Sequence, residues 1–192
     1  VPINVVLSDA HDNLRLAFAA AATCPPDIYL AFHNKVMLGC RSVKVRTTNF
    51  DAFESVNVPP VATVSSDGLV FNKESFQKKH DGAPELNTNI DSHVSLVKLF
   101  PGFDPNLLFA MVDSGCGIVI EAYGLGGMNF IRRNMVAAIG KLIRQGIPVV
   151  ASSQCLYERS DLTKYEVGRE ALLKGAISAC DMTSESAITK LM

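Results

Sequence analysis

The sequence predicts an α/β fold of two domains, with parallel sheets flanked by helices and the first domain incomplete, and three observations lead to it. Short, wholly apolar runs, GIVI at 117–120 and IPVVA at 147–151, are the mark of strands buried on both faces. From residue 92 such runs alternate with helix-length segments: strands at 94–99, 117–121, 148–151 and 176–178, helices at 105–112, 131–144, 164–173 and from 184 onward. That rhythm belongs to a parallel sheet covered by crossover helices. A polar stretch without clear period, 73–91, contains Gly82 and Pro84 and separates this part from what precedes it. The expected organisation is a first domain over 1–75, a linker over 76–91 and a second domain over 92–192. The chain starts in what reads as a strand-end loop and stops inside a helix, so a longer protein is expected around it.

In the first part, an Ala-rich helix over 13–22 is opened by Ser8, Asp9 and Asp12, residues suited to capping and the first turn. Cys24-Pro25-Pro26 ends it. Strands at 27–32 and 36–38 then flank a turn at His33-Asn34-Lys35. In 41–46, period-2 alternation puts Arg41, Val43 and Val45 on one face and Ser42, Lys44 and Arg46 on the other. Residues 49–57 read as a loop or short helix, and Pro59-Pro60 leads into a strand at 61–64.

Composition narrows the function. The chain has 192 residues, 48% hydrophobic and 19% charged, with 18 basic side chains against 19 acidic. No electrostatic footprint for nucleic acid or an anionic membrane follows from such a balance, and small neutral or zwitterionic ligands are the expected partners. Five widely spaced cysteines, an odd number mostly inside apolar runs, argue for buried thiols in a reducing compartment rather than a disulfide framework. No apolar run reaches the roughly 20 residues that span a bilayer, and the start lacks a signal-peptide pattern. The cytoplasm is the expected location.

Ligands of parallel sheets sit beyond the carboxyl ends of the strands. Those ends are 121–127, 152–155 and 179–183. Gly124-Leu125-Gly126-Gly127 lies between a strand and a helix, where free N–H groups can receive a carboxylate or phosphate; a plain tight turn is at least an equal reading. Thr183 with Glu185 reads as a helix cap. Ser153 and Cys155 carry nucleophilic atoms but have no histidine in the neighbouring strand ends, so a polar loop is the better reading. His11, His33, His80 and His93 show no metal-site spacing, and no metal is expected. For Lys44, a solvated strand face is the simpler reading.

Seven blocks, in order, change that weighting: VPINVVLSDAHDNL, HNKVMLGCRSVKVRTTNFDAFESVN, KLFPGFDP, GIVIEAYGLGG, GIPVVASSQCLYE, DLTKYEVGREALLKGAI and DMTSESAITKLM. Together they resemble the bacterial-type L-asparaginase family, most closely its cytoplasmic type I branch. The resemblance implies a cofactor-free, two-domain amidohydrolase that converts asparagine to aspartate and ammonia with threonine nucleophiles. The family's catalytic threonines lie ahead of the position matched by Val1, so these 192 residues alone are expected to be inactive.

One catalytic residue carries over. The lysine of the family's Arg-x-x-Lys strand matches Lys44 after Arg41, and the resemblance implies that it works with a threonine and an aspartate to take or hold a hydroxyl proton. Asp9 and Asn13 match a Ser-Asp-x-x-x-Asn pattern, for which loop bracing is expected. The resemblance further implies a homodimer or dimer of dimers, with the smaller domain of a neighbouring subunit completing each pocket. Where many members have Gly-x-Gly-Asn, this chain departs with Gly124-Leu125-Gly126-Gly127, so that Gly127 takes the place of the family's substrate-contacting Asn and Asn129 lies two places on. Tyr165 stands where periplasmic members carry a glutamate for the substrate ammonium, a loss of about 1–3 kcal/mol of binding. Some type I enzymes hold an effector asparagine near the positions of Glu121, Ser153 and Cys155; Glu121 replaces an arginine there, so weak or absent allostery is expected. Two other readings share these blocks or this fold: the asparaginase-like subunit of an archaeal-type glutamyl-tRNA amidotransferase, and a dimerisation or effector-binding module without chemistry.

Overall fold

The computed structural model describes residues 2–76, 82–83, 85–112 and 116–192. Of the expected linker, residues 77–81 and 84 lie outside the described residues, as does His80. The chain forms two compact units, Val1–Pro84 and Glu85–Met192.

In the first unit, helix α1 (Ala10–Thr23) begins where the Ser8 hydroxyl accepts the backbone N–H of Ala10 at 3.0 Å. It ends at Cys24, whose extended backbone is what the following Pro25 demands. Leu16 and Ala20, one turn apart, are its buried residues, packed with Val36 and Ala62. Strands β1 (Tyr29–Phe32) and β2 (Lys35–Leu38) pair antiparallel through a two-residue turn, His33-Asn34, with φ of 44° and 61°. Both central residues in the left-handed region match the right-handed strand twist. After a 3₁₀ turn, Gly39–Arg41, strand β3 (Ser42–Lys44) pairs antiparallel with β4 (Phe53–Ser55). Strands β5 (Ala62–Ser65) and β6 (Gly68–Phe71) extend the first sheet to the order β1-β2-β5-β6.

Three expectations change here. The described strands of this unit pair antiparallel, not parallel, and within the β1-β2 and β5-β6 pairs the two-residue connections at 33–34 and 66–67 leave no room for a crossover helix. Residues 49–57, read as loop or helix, contain β4. Arg41 belongs to the 3₁₀ turn, so the strand face expected from Arg41 onward starts only at Ser42.

The second unit follows the predicted rhythm: β7 (Val94–Lys98), α2 (Asn106–Ala110), β8 (Gly117–Ala122), α3 (Met135–Arg144), β9 (Val149–Ser153), α4 (Glu166–Leu173), β10 (Ile177–Ser178) and α5 (Ser184–Leu191). All four strands run parallel in the order β10-β9-β8-β7. Alternate residues of β8 face opposite layers. Ile118, Ile120 and Ala122, with Val149 and Ala151, pack against Leu108, Met135, Ile139, Leu142 and Ala171 from α2, α3 and α4. Val119 and Val150 pack against Ala179 and Ala187 on the α5 side. Each fully buried Ile or Leu contributes about 1.5–3 kcal/mol through removal from water. Because neighbours in the sheet are also neighbours in sequence, strand order never reverses, and no crevice opens between diverging helices. The loops at the carboxyl ends are what remain to shape a site. Among the described residues no helix is long and apolar enough to cross a membrane.

Candidate active site

The strand-end loops of the second unit are tied together by side chains that no sequence motif singles out. Gln154, just beyond β9, donates through its side-chain Nε2 to the carbonyl oxygens of Leu99, beyond β7, and of Glu121, on β8, the latter at 3.1 Å. Its backbone N–H donates to Ala122 O at 2.9 Å. One residue therefore clamps three adjacent strand ends.

Glu121 is mostly shielded, with its side chain 16% exposed. Its Oε1 accepts the Ser184 hydroxyl at 2.7 Å, and its Oε2 lies 3.7 Å from the Lys98 ammonium. Ser184 opens α5, whose N-cap Thr183 accepts the Ser186 N–H, so the carboxylate stands at the positive end of that helix. Both oxygens are thus engaged within the unit.

The glycine turn closes on itself. Gly126 and Gly127 both donate their N–H to Tyr123 O, at 3.0 and 2.7 Å, and Tyr123 N donates to Gly127 O at 2.9 Å. Those N–H groups are not available to an anion, and the tight-turn reading describes the geometry. Gly126, at φ +117°, has no room for a side chain: a Cβ there would collide with Leu162. Ser153 donates its hydroxyl to Gly124 O at 2.6 Å and accepts the Cys155 N–H at 3.0 Å. Its oxygen is spent on loop geometry. His93 precedes the amino end of β7, whereas Ser153 ends β9; in a parallel sheet the five-residue strand length of about 16 Å separates them, so this histidine cannot serve as its base.

A loop lies over this turn. Asp161 donates its N–H to Leu125 O at 3.1 Å, and its Oδ1 accepts the hydroxyl and N–H of Thr163 at 2.6 and 3.1 Å. Those two bonds, with the Arg159 guanidinium nearby, hold the Asp161 carboxyl below its ordinary range. The loop leads to Tyr165, the N-cap residue of α4, which is 54% exposed and open to solvent. Asn129 accepts the Met135 N–H through its backbone, and its side-chain amide makes no hydrogen bond among the described residues. The Tyr123 hydroxyl and Ser160 Oγ are buried without partners among the described residues, and burial pushes the Tyr123 phenol up. Glu121, Gly127, Ser153 and Cys155 therefore belong to one hydrogen-bonded set of strand ends. Gln154, Ser184 and Asp161 complete it; the only sequence signal for them is a run of polar residues directly after buried strands.

Lys44, Asp9 and Asn13 belong to the first unit. Lys44 ends β3, exposed, with its Nζ 5.9 Å from the centroid of Phe53, its cross-strand partner. No carboxylate lies within ion-pair distance of it among the described residues. Phe53 in turn meets Phe32 edge-on at 5.0 Å. Asn13 donates to Asp9 Oδ2 at 2.9 Å and accepts the His33 N–H at 2.8 Å, joining the start of α1 to the β1–β2 turn. Among the described residues no three His, Cys, Asp or Glu side chains gather to hold a metal.

Residues 1–77 match the asparaginase N-terminal domain, and residues 93–192 match the glutaminase/asparaginase C-terminal domain. The whole chain is 41% identical to an L-asparaginase of Thermococcus kodakarensis and covers 58% of it. Over 96% of its length it is 35% identical to one subunit of the glutamyl-tRNA(Gln) amidotransferase of Pyrococcus furiosus, covering 44% of that protein. The solved structure of the thermostable T. kodakarensis L-asparaginase superposes with a TM-score of 0.93 at 41% identity, over all of this chain and 58% of that one. L-asparaginase I of Vibrio cholerae superposes with a TM-score of 0.87 at 25% identity, again over all of this chain and 58% of that one. The chain spans between about two fifths and three fifths of the length of these relatives, and through matches in both of its units it belongs to the glutaminase/asparaginase family.

Proposed function

We propose that the protein is an L-asparaginase, hydrolysing the side-chain amide of L-asparagine to L-aspartate and ammonia. The observation that carries this reading is the uninterrupted likeness, 41% over the entire chain, to an L-asparaginase. In the proposed reaction a hydroxyl attacks the amide carbon, the C–N bond breaks as nitrogen takes a proton and leaves as ammonia, and water hydrolyses the ester. Lys44 takes or holds the hydroxyl's proton. A lysine amine suits this task when a carboxylate or hydroxyl meets it in the assembled site, and among the described residues no carboxylate already occupies it in the first unit.

Gly127, Asn129 and Tyr165 contribute the substrate-facing surface of the strand-end loops in this reading, through a homodimer or dimer of dimers. The free side-chain amide of Asn129 and the exposed ring of Tyr165 support that role; the backbone of Gly127 contributes shape, since its N–H is already used. Asp9 and Asn13 brace the β1–β2 turn. Effector binding near Glu121, Ser153 and Cys155 is weak or absent in this reading, because the polar groups of Glu121 and Ser153 are engaged with Ser184, Lys98 and Gly124.

A second reading, a glutamine-hydrolysing amidotransferase subunit, rests on the 35% identity to the P. furiosus protein. Comparing kcat/KM for asparagine and glutamine, without and then with tRNA and a partner protein, separates the two. Asparagine is expected to be preferred; hydrolysis of glutamine alone, and only with tRNA and a partner, would replace the first reading with the second.

A further inference from the structure

The second unit carries an open groove of about 360 Å³ where the start of α2 meets the start of α3. Its charged lining is Arg132, Arg133 and Lys141 against a single carboxylate, Asp104. Asp104 is turned to its own helix, accepting the Asn106 N–H at 3.0 Å. None of the three cations forms an ion pair or side-chain hydrogen bond among the described residues, whereas Lys35, Arg46, Lys98 and Arg159 each have a carboxylate. In a chain of net charge −1, an excess of two positive charges in one concavity is a local concentration. Unmatched like charges are held together there at an electrostatic cost that a bound anion removes.

The charge is drawn out along the groove. Arg132 and Arg133 precede α3, and Lys141 lies six residues past its first residue, about 9 Å along the axis. A monocarboxylate can match only one of these groups. Guanidinium pairs meet phosphate oxygens bidentately, and an ammonium adds a point charge. Phe109, with Ala137 and Ala138, supplies an apolar part of the lining. The volume lies within the range of small-molecule sites, roughly 300–1,000 Å³. The geometry points to a binding groove for an oligophosphate chain, either inorganic or carried by a nucleotide.

The test is calorimetric titration of the full-length protein with inorganic tripolyphosphate, ATP and adenosine at low ionic strength. Tripolyphosphate binding is expected, weakened at least tenfold in the Arg132→Ser/Arg133→Ser double variant and several-fold in Lys141→Ser. Arg144→Ser removes the same charge from the other end of α3 and should leave binding within twofold of wild type. All four basic side chains replaced are exposed, so unchanged melting temperatures are expected to accompany these losses. Equal affinity for ATP and tripolyphosphate assigns the site to the phosphate chain; tighter ATP binding that Phe109→Ala abolishes assigns it to a nucleotide. Binding of neither anion, or equal losses in Arg144→Ser and the double variant, overturns the proposal.

Discussion

Gly168→Ala sets two effects of similar size against each other. Gly168 lies in the first turn of α4, buried, and alanine is favoured over glycine inside a helix by up to about 1 kcal/mol. Against this, a Cβ at Gly168 would sit 3.0 Å from both Cα and the carbonyl carbon of Leu162, with the carbonyl oxygen closer still. These are backbone atoms of a residue only 2% exposed, whose side chain is already pressed over Gly126, so the loop has nowhere to retreat. Overpacking of this kind costs about 1–3 kcal/mol, and more where backbone must move. The contact wins, with a net loss of about 1–2 kcal/mol and a fall in Tm of roughly 2–8 °C for a chain of this size. Thermal unfolding followed by circular dichroism measures it. Because the same loop carries Asp161 onto the glycine turn, the hydrogen bond from Asp161 N–H to Leu125 O should exchange faster in the variant. A Tm equal to or above wild type would show that α4 and the Leu162 loop do not press on each other, and the close contact would lose its energetic meaning.

Gln154→Leu keeps the side chain's bulk but frees the carbonyls of Leu99 and Glu121, and should cost about 2 kcal/mol at roughly 1 kcal/mol per hydrogen bond, read from the urea midpoint. The Asp161 carboxyl is held below its ordinary range, so its support for the loop is complete above about pH 4 and is lost as pH falls through the lower folded value. The protection of the Thr163 amide, the slowing of its exchange relative to the intrinsic rate at the same pH, should therefore fall on acidification, and Asp161→Asn should show the lower protection already at neutral pH. With Glu121 engaged by Ser184 and Lys98, initial rates should rise hyperbolically with asparagine, and a sigmoidal curve would show an effector site that the strand ends of this unit do not provide.

The second unit is legible in the sequence because its signals are strong and local: the apolar run of β8, the 3.6-residue spacing of Met135, Ile139 and Leu142 in α3, and the cap of α5 at Thr183. The start of α3, expected at 131, falls at Met135 behind the Asn134 cap. Strand β4 is not, because three residues, Phe53–Ser55, are too few to show a period; only pairing with β3 makes them a strand. Strand β6 escapes notice because its two-residue connection to β5 carries no segment that announces a new element. The turn at His33-Asn34 reads one residue too long, since its backbone conformation depends on strand twist rather than on residue type alone. In the site, the residue types are visible but their partners are not. Gln154 binds carbonyls 33 and 55 residues away, and Glu121 meets Ser184 across 63, separations that no local pattern encodes. The glycine loop is the opposite case: its composition allows an anion site or a turn, and only the direction of two N–H groups decides between them.

Ammonia release from L-asparagine, measured on the full-length protein and on its Lys44→Met variant, decides both the activity and the part assigned to the lysine. The wild type should hydrolyse asparagine, and kcat should fall by about 10²–10⁴ in the variant, the usual worth of a positioned proton-transfer group. Undiminished turnover in Lys44→Met would remove Lys44 from the chemistry, and no release from asparagine by the wild type would contradict the assignment itself.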